Sequence, residues 1–209
     1  MTIFSFHPAK TITTGEGGAV TTNDPILYRL LKRFRNNGIE REPSYWTEAD
    51  QNGGYDGYYE VQEISNNFNF TELQGALGIS QLQRLELFVE KRRELLKAYR
   101  SELAEVPFLK MLTDRYDDQT AYHLCVVQID FQKLKKTRKE FMEALKAKGV
   151  GTQVHYIPLY RHPALVRGSG EIKEYFPKME QYYAQALTLP LYYDMTIEDV
   201  KRVSRPIVS

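Results

Sequence analysis

The segment "TIFSFHPAKTITTGEGGAVTT", residues 2–22, decides how the N-terminal part of this 209-residue chain folds. Its apolar ends predict two short strands, and its middle predicts a loop rich in glycine. Lys10 lies in this loop, between Pro8 and the glycines Gly15, Gly17 and Gly18. A lysine that needs only solvent is usually found on a helix face, so the position of Lys10 raises a question of function.

A first helix is predicted directly after the second strand. It begins after Asn23 or Asp24, carries Pro25 in its first turn and ends at Gly38. Residues 39–66 then form a polar stretch with glycine and many tyrosines, which is too long for a plain connection. We therefore expect this stretch to be a functional or a mobile loop.

A second helical pattern begins at a capping box that Thr71 opens. The pattern continues for longer than most single helices, so we expect a bend or break near residues 86–88. This break is the predicted domain boundary. Residues 1–85 would form one domain, and residues 86–209 would form a second, smaller domain that is entered by a long linking helix.

The C-terminal part alternates strands with helices, which predicts a small α/β or α+β sandwich. Strands are expected for "AYHLCVVQID", residues 121–130, and for "VGTQVHYI", residues 150–157. The helix between them begins at a capping box that Thr137 opens. A helix over residues 177–187, the strand "TLPLY" and a last helix capped by Thr196 complete the pattern.

The first strand raises a further question about the N-terminal part. Residues 2–6 are largely apolar, as in a central strand of a sheet, yet only one more strand, at residues 18–22, is predicted before Pro107. A sheet needs about three or more strands to be stable alone. We therefore expect the N-terminal part to belong to a larger sheet.

The composition argues against several classes of protein. The formal net charge of +1 argues against nucleic-acid binding, which needs a clustered basic excess. Cys125 is the only cysteine, so no internal disulfide and no cysteine-based zinc site is expected, and no other metal site is indicated. No apolar run reaches the roughly 18 residues of a membrane span, and no signal peptide is apparent. These observations predict a cytoplasmic protein.

The chemistry of Lys10 depends on its surroundings. Partial burial or a neighbouring cation favours the neutral amine, which forms a Schiff base with an aldehyde. Pyridoxal phosphate chemistry needs such a lysine, together with a site for the phosphate. Ser5, five residues before Lys10, offers a hydroxyl for that phosphate. Judged by spacing alone, an ordinary loop lysine is the favoured interpretation of Lys10, and a strand-end hydroxyl bonded to the backbone is the alternative for Ser5.

Several motifs resemble one family, the DegT-like nucleotide-sugar aminotransferases, which are fold type I pyridoxal phosphate enzymes. "SFHPAKTITTGEGGAVTTND" resembles the family's cofactor-lysine segment, and "NFNFTELQGALGISQLQRL" resembles its asparagine-aromatic-arginine stretch and the helix that follows. "AYHLCVVQ" and "GVGTQVHYIPLYRHP" resemble its small-domain strands and substrate-facing turn. Within the family, the chain is most similar to transaminases that make 4-amino sugars for pseudaminic acid.

The resemblance implies roles for three cofactor-binding residues. Lys10 would hold pyridoxal 5'-phosphate covalently and move the proton during catalysis, and Ser5 would bind the phosphate. Asn67 would reach the phosphate of a neighbouring subunit's cofactor, which implies a homodimer. A backbone contact for the Ser5 hydroxyl and a turn or helix cap for Asn67 are the alternatives.

The resemblance also implies a substrate pocket. His155 and Tyr156 would line the site for the sugar nucleotide, and His7 could contact the cofactor or the sugar. Packing roles are open alternatives for all three side chains. One departure concerns Asn69, because many relatives have arginine at this position.

The implied fold class is α/β: the C-terminal part of a fold type I aminotransferase, with a remnant of the large-domain sheet before the small domain. The aspartate that pairs with the pyridine nitrogen would lie outside this chain. The implied reaction is transamination of a nucleotide-linked 4-keto-6-deoxy sugar with glutamate as amino donor. A catalytically incomplete fragment that only folds or dimerises is one alternative. A sugar dehydratase is another, disfavoured because that branch replaces the lysine by histidine.

Overall fold

The computed structural model describes residues 1–48, 55–112, 114–166 and 172–208. The chain divides into two compact units, Met1–Arg84 and Leu85–Ser209. The division falls between α2 (Glu72–Leu82) and α3 (Leu85–Glu102). The predicted break in this helical pattern therefore occurs, but slightly earlier than residues 86–88. Neither glycine nor proline marks the break, so the sequence carried no signal for its position.

The first unit begins with an antiparallel pair of strands, β1 (Thr2–Ser5) and β2 (Gly18–Thr21). The sequence predicted both strands to within a residue at either end. All four residues of β1 are exposed, and in the described residues β2 is its only neighbour in the sheet. The apolar character of β1 is thus not explained by burial within this unit.

The first helix, α1 (Pro25–Arg35), follows β2 and is capped by Asp24. The Asp24 carboxylate accepts the backbone N–H groups of Ile26 at 2.8 Å and Leu27 at 3.1 Å, so the second of the two predicted caps is the one used. Gly38 ends the helical region with a φ of +72°, and its N–H donates to the carbonyl of Arg33. A Cβ at this glycine would lie 1.8 Å from the carbonyl oxygen of Glu63.

The polar stretch at residues 39–66 contains regular structure. It forms a short antiparallel pair, β3 (Ile39–Glu40) and β4 (Glu60–Val61), and a 3₁₀ turn at Pro43–Tyr45. Residues 49–54 of the stretch lie outside the described residues. Its described ends are therefore folded back on each other beside the end of α1.

The second unit is built on a three-stranded antiparallel sheet in the order β5–β6–β7. These strands are β5 (Leu109–Met111), β6 (Cys125–Ile129) and β7 (Ala186–Leu189). The helices that accompany the sheet, besides α3, are α4 (Arg138–Ala147), α5 (Pro163–Val166), α6 (Pro177–Gln185) and α7 (Ile197–Val208). The core of the unit includes Leu95, Tyr99, Val127, Leu145, Leu187 and Val200.

Two sequence predictions for this unit were wrong. The strand expected at residues 150–157 is only an isolated bridge between Gln153 and Thr188. The reason is local, because the N–H of Val154 donates to the side-chain oxygen of Gln153 at 2.9 Å rather than to a neighbouring strand. The helix expected to reach residue 187 ends at Gln185, because Ala186 and the residues after it complete the sheet as β7.

The helix starts were predicted more accurately than the strands. Thr71 with Gln74, and Thr137 with Glu140, each form a complete capping box. Within the described residues, no helix is long and apolar enough to cross a membrane.

Candidate active site

Lys10 lies on a tight turn that follows β1. Its backbone N–H donates to the carbonyl of His7 at 2.9 Å. The His7 ring contributes to the same turn, because its Nδ1 accepts the N–H of Ala9 at 3.0 Å. The Lys10 residue is half-buried, whereas His7 is exposed. The turn thus fixes the backbone from which the amine extends.

Ser5 is the last residue of β1 and lies at the same end of that strand as the Lys10 turn. The residue is exposed, and its Oγ accepts the N–H of His7 over a long distance of 3.4 Å. The Ser5 hydroxyl therefore makes a weak hydrogen bond to the backbone, which is the alternative that we gave to a role in phosphate binding. This bond leaves the proton of the hydroxyl available as a donor.

The glycines after Lys10 are needed for packing inside the first unit. Gly17 has a φ of +145°, and a Cβ there would lie 2.5 Å from the ring of Phe70 and 2.7 Å from Oγ1 of Thr14. A Cβ at Gly18 would lie 2.6 Å from the carbonyl oxygen of Phe4. The close approach that these glycines permit is thus to the protein's own strand and aromatic ring.

Threonines close the loop from inside. Thr14 is 5% exposed, and its backbone N–H donates to the carbonyl of Phe6 at 3.1 Å, while its hydroxyl donates to the carbonyl of Glu16 at 2.7 Å. The hydroxyl of Thr13 donates to the same Phe6 carbonyl at 2.9 Å. Gln74 of α2 donates to the Glu16 carbonyl at 2.8 Å. These bonds connect the Lys10 loop to the start of α2.

Asn67 lies in the segment that leads to α2 and is exposed. Its side-chain oxygen accepts the N–H of Asn69 at 2.9 Å, as a turn cap does, and its backbone forms a bridge with Asn36. The side chain of Asn69 donates to Oδ1 of Asn36 at 2.9 Å. Asn69 is therefore part of a hydrogen-bonded asparagine cluster beside the end of α1.

Sequence reasoning missed Arg33, which organises the same region. Arg33 is 8% exposed, and its guanidinium donates to Gln62 at 2.5 Å and to Glu63 at 2.7 Å. Arg33 thereby holds the segment before Asn67 against α1. A basic residue near the C-terminus of an amphipathic helix was the available signal, but it usually indicates only a favourable helix dipole.

Glu60 is a second buried polar residue that the sequence did not indicate. Its carboxylate accepts the N–H groups of Thr47 at 2.7 Å and Glu48 at 2.8 Å, and the side-chain amide of Gln62 at 2.9 Å. Burial by itself raises the pKa of the Glu60 carboxyl, but the hydrogen bonds from Gln62, Thr47 and Glu48 outweigh burial and lower this pKa to about 2. Glu60 is therefore ionised at neutral pH.

His155 and Tyr156 belong to the second unit. Nδ1 of His155 lies 2.8 Å from the Oγ1 of Thr188, and the ring contacts Tyr156 edge-to-face with centroids 4.6 Å apart. His155 is half-buried, while Tyr156 is 62% exposed. The structure thus brings these two residues together, and it brings Ser5, His7 and Lys10 together in the first unit.

No metal centre is built from the described parts of the chain. In residues 1–48, 55–112, 114–166 and 172–208, no group of three or more histidine, cysteine or acidic side chains is placed to hold an ion.

Solved structures define the class to which this fold belongs. The chain matches Helicobacter pylori PseC, an aminotransferase involved in the biosynthesis of pseudoaminic acid, with a TM-score of 0.80 and 29% identity; the match covers 98% of this chain and 51% of PseC. The fold is that of the sugar aminotransferases, a mixed α/β fold. The chain belongs to the DegT/DnrJ/EryC1/StrS aminotransferase family, which it matches over residues 1–208.

Sequence relatives agree with this family. The spore coat polysaccharide biosynthesis protein SpsC of Bacillus subtilis is 36% identical over 97% of this chain and 51% of SpsC. A UDP-4-amino-4,6-dideoxy-N-acetyl-beta-L-altrosamine transaminase of Helicobacter pylori is 30% identical over 99% of this chain and 51% of that enzyme. The chain spans about half the length of the curated relatives it matches.

Proposed function

We propose that this chain takes part in pyridoxal-phosphate-dependent transamination of a nucleotide-linked 4-keto-6-deoxy sugar, of the UDP-4-keto-hexosamine type, with glutamate as amino donor. The product would be an amino sugar for a surface glycan or for pseudaminic acid. The observation that carries the proposal is that Ser5 and Lys10 share one end of β1, in a loop closed by its own hydrogen bonds. Membership of an aminotransferase family supports it.

The residues of the Lys10 loop suit the chemistry of the implied cofactor. Ser5 offers an exposed hydroxyl whose recorded contact, at 3.4 Å, is long enough to be exchanged for a phosphate oxygen. Lys10 offers a half-buried primary amine on a turn of fixed backbone. When bound, pyridoxal phosphate supplies an aldehyde for covalent attachment and an electron sink. Lys10 would hold the group and then carry the proton between donor, cofactor and sugar as general acid and base.

Asn67 extends the proposal to a dimer. Its Oδ1 already accepts the N–H of Asn69, while its Nδ2 has no recorded partner among the described residues. An amide N–H₂ is a donor that suits a phosphate oxygen. We assign this group to the phosphate of a neighbouring subunit's cofactor, so the complete site would need two subunits.

The substrate end of the proposal rests on His155 and Tyr156. Tyr156 is exposed, whereas a hydrogen bond to Thr188 fixes the ring of His155. One accessible and one fixed side chain next to each other suit a site for a ligand. In this proposal the unit Leu85–Ser209 is the small domain, and Met1–Arg84 is part of the cofactor-binding large domain. A cytoplasmic location completes the proposal.

One observation favours the second candidate, a chain that folds and associates without catalysis. None of the residues of α2 is buried, although the helix carries several apolar side chains. Leu73 is 85% exposed, Ile79 is 64% exposed and Leu82 is 58% exposed. Such a surface is typical of an interaction site. The dehydratase alternative has less support, because this chain has a lysine at position 10, where the dehydratase branch has histidine.

Reductive labelling tests the proposal. The purified chain is mixed with pyridoxal phosphate, reduced with borohydride and mapped by peptide mass spectrometry. We expect the pyridoxyl group on Lys10, and a visible absorption band that Lys10→Ala abolishes. Lys32→Ala, at an exposed lysine of α1, is the matched control and should keep the band. Labelling spread evenly over surface lysines would reject the role of Lys10, and no labelling would favour the non-catalytic candidate.

A further inference from the structure

We propose that Thr188 is the positioning residue for His155, and that its hydroxyl selects the imidazole tautomer with the proton on Nε2. The inference about the tautomer depends only on the second unit. Its meaning for the reaction rests on the proposed function, in which His155 faces the sugar nucleotide.

The strand β7 places the Thr188 side chain on the face opposite the core. Side chains alternate along a strand, and Leu187 and Leu189, on either side of Thr188, are in the core with exposures of 0% and 2%. Thr188 is itself only 6% exposed, because the segment around Gln153 covers the other face. The Thr188 hydroxyl is therefore a buried polar group that needs a partner.

The backbone of Thr188 fixes where the histidine lies. The N–H of Gln153 donates to the carbonyl of Thr188 at 3.2 Å, and the N–H of Thr188 donates to the carbonyl of Gln153 at 2.7 Å. This bridge carries the chain past β7 so that His155, two residues later, presents its ring to the hydroxyl. The hydroxyl of Tyr182 on α6 donates to the His155 carbonyl at 3.4 Å, which adds a weaker third contact.

The hydrogen bond between the two side chains determines the tautomer. Oγ1 of Thr188 lies 2.8 Å from Nδ1 of His155, and no other hydrogen bond of this hydroxyl is recorded among the described residues. A buried hydroxyl has one proton to donate, and leaving it unsatisfied costs free energy. Donation to Nδ1 requires that Nδ1 be unprotonated, so the neutral ring carries its proton on Nε2.

This tautomer gives His155 a defined chemical role in the proposed site. An Nε2–H group is a donor, and it suits the oxygens of a phosphate or of a sugar, which accept hydrogen bonds. The opposite tautomer would present an acceptor to the same oxygens and repel them. Thr188 would thus set the polarity of the ring without touching the substrate.

Nuclear magnetic resonance of the ¹⁵N-histidine-labelled chain tests the inference without cofactor or substrate. The His155 signals are assigned with His155→Gln, and long-range ¹H–¹⁵N correlations then report which nitrogen carries the proton. We expect the Nε2–H tautomer in the unmodified chain and in Thr188→Ser, which keeps the hydroxyl. Thr188→Val has nearly the same shape but no hydroxyl, and it should lose the tautomer preference.

A control separates positioning from stability. Thermal unfolding of Thr188→Val identifies any loss of fold. Thr188→Ser must keep the Nε2–H tautomer, whatever its melting temperature. A proton on Nδ1 in the unmodified chain would overturn the inference, as would an unchanged tautomer in folded Thr188→Val. Because no reaction is measured, failure here is distinct from failure of the labelling experiment on Lys10.

Discussion

The carboxylate of Glu60 accepts the backbone N–H of Thr47 at 2.7 Å, thirteen residues earlier in the chain. It also accepts the N–H of Glu48 at 2.8 Å, and Glu60 is only 8% exposed. A single buried acid therefore ties β4 to the residues that follow the 3₁₀ turn. Because backbone donors hold this loop, its stability depends on the charge of one side chain.

We expect Glu60→Gln to destabilise the first unit, since an amide replaces one acceptor oxygen by a donor that faces backbone N–H groups. The effect should depend on pH. The pKa of Glu60 is about 2 in the folded chain against 4.5 for the free group, so its contribution is fully present above pH 4.5 and is lost as pH falls towards about 2.

Urea unfolding between neutral and acid pH measures the contribution of the Glu60 carboxylate to stability. The difference in the free energy of unfolding between the unmodified chain and Glu60→Gln should be constant above pH 4.5 and should become smaller below it. Glu48→Gln changes an exposed carboxylate of the same stretch and should behave like the unmodified chain. A difference that persists unchanged into acid would contradict the role assigned to the ionised carboxylate.

Gly17→Ala is expected to destabilise the first unit by about 1–3 kcal/mol, the usual cost of overpacking. The added methyl would lie 2.5 Å from Phe70 at a φ of +145°. Gly75→Ala is the matched control, because a Cβ there meets nothing within 4 Å and the residue is helical. The Gly75→Ala substitution should raise the free energy of unfolding by roughly 0.5–1 kcal/mol. Equal unfolding midpoints for the two variants would show that Gly17 is not required for packing.

Cys125 should be inert in the folded protein. Burial raises the pKa of its thiol to about 12, and the residue is 0% exposed in β6. At about pH 8, near the ordinary thiol pKa, a disulfide reagent should react only after unfolding. Spectrophotometric titration should then find one thiol, since the chain has a single cysteine. Rapid reaction of the folded chain would contradict the burial of β6.

Much of the fold follows from local sequence signals. Asp24, Thr71 and Thr137 were identified as candidate caps because a capping side chain and its backbone partners lie within three or four residues. The strand expected at residues 150–157 was wrong because its alternating pattern does not reveal that Val154 bonds to the side chain of Gln153. A pattern predicts which face of a strand is apolar, but not whether a neighbour is present.

The residues of the candidate site also fall into those that local sequence indicates and those that only the structure reveals. Ser5 and Lys10 were found through one motif and Asn67 through another, each continuous in sequence, and their roles stay predictions. Arg33 and Glu60 were missed because most of their partners lie between 12 and 30 residues away, and a lone charged residue looks like a solvated one. Buried charges are recognised only when the groups that satisfy them are known.

The amino-acid order alone determined the starts of α1, α2 and α4, the first strand pair and the family to which the chain belongs, because each of these depends on neighbours along the chain. The tertiary structure alone decided what fills the space beside Gly17 and which hydroxyl meets His155. Those contacts join residues far apart in sequence: His155 and Thr188 are 33 positions apart, and Gly17 packs against Phe70. Packing selects such pairs only once the sheet and its covering segments are assembled, so no local pattern specifies them.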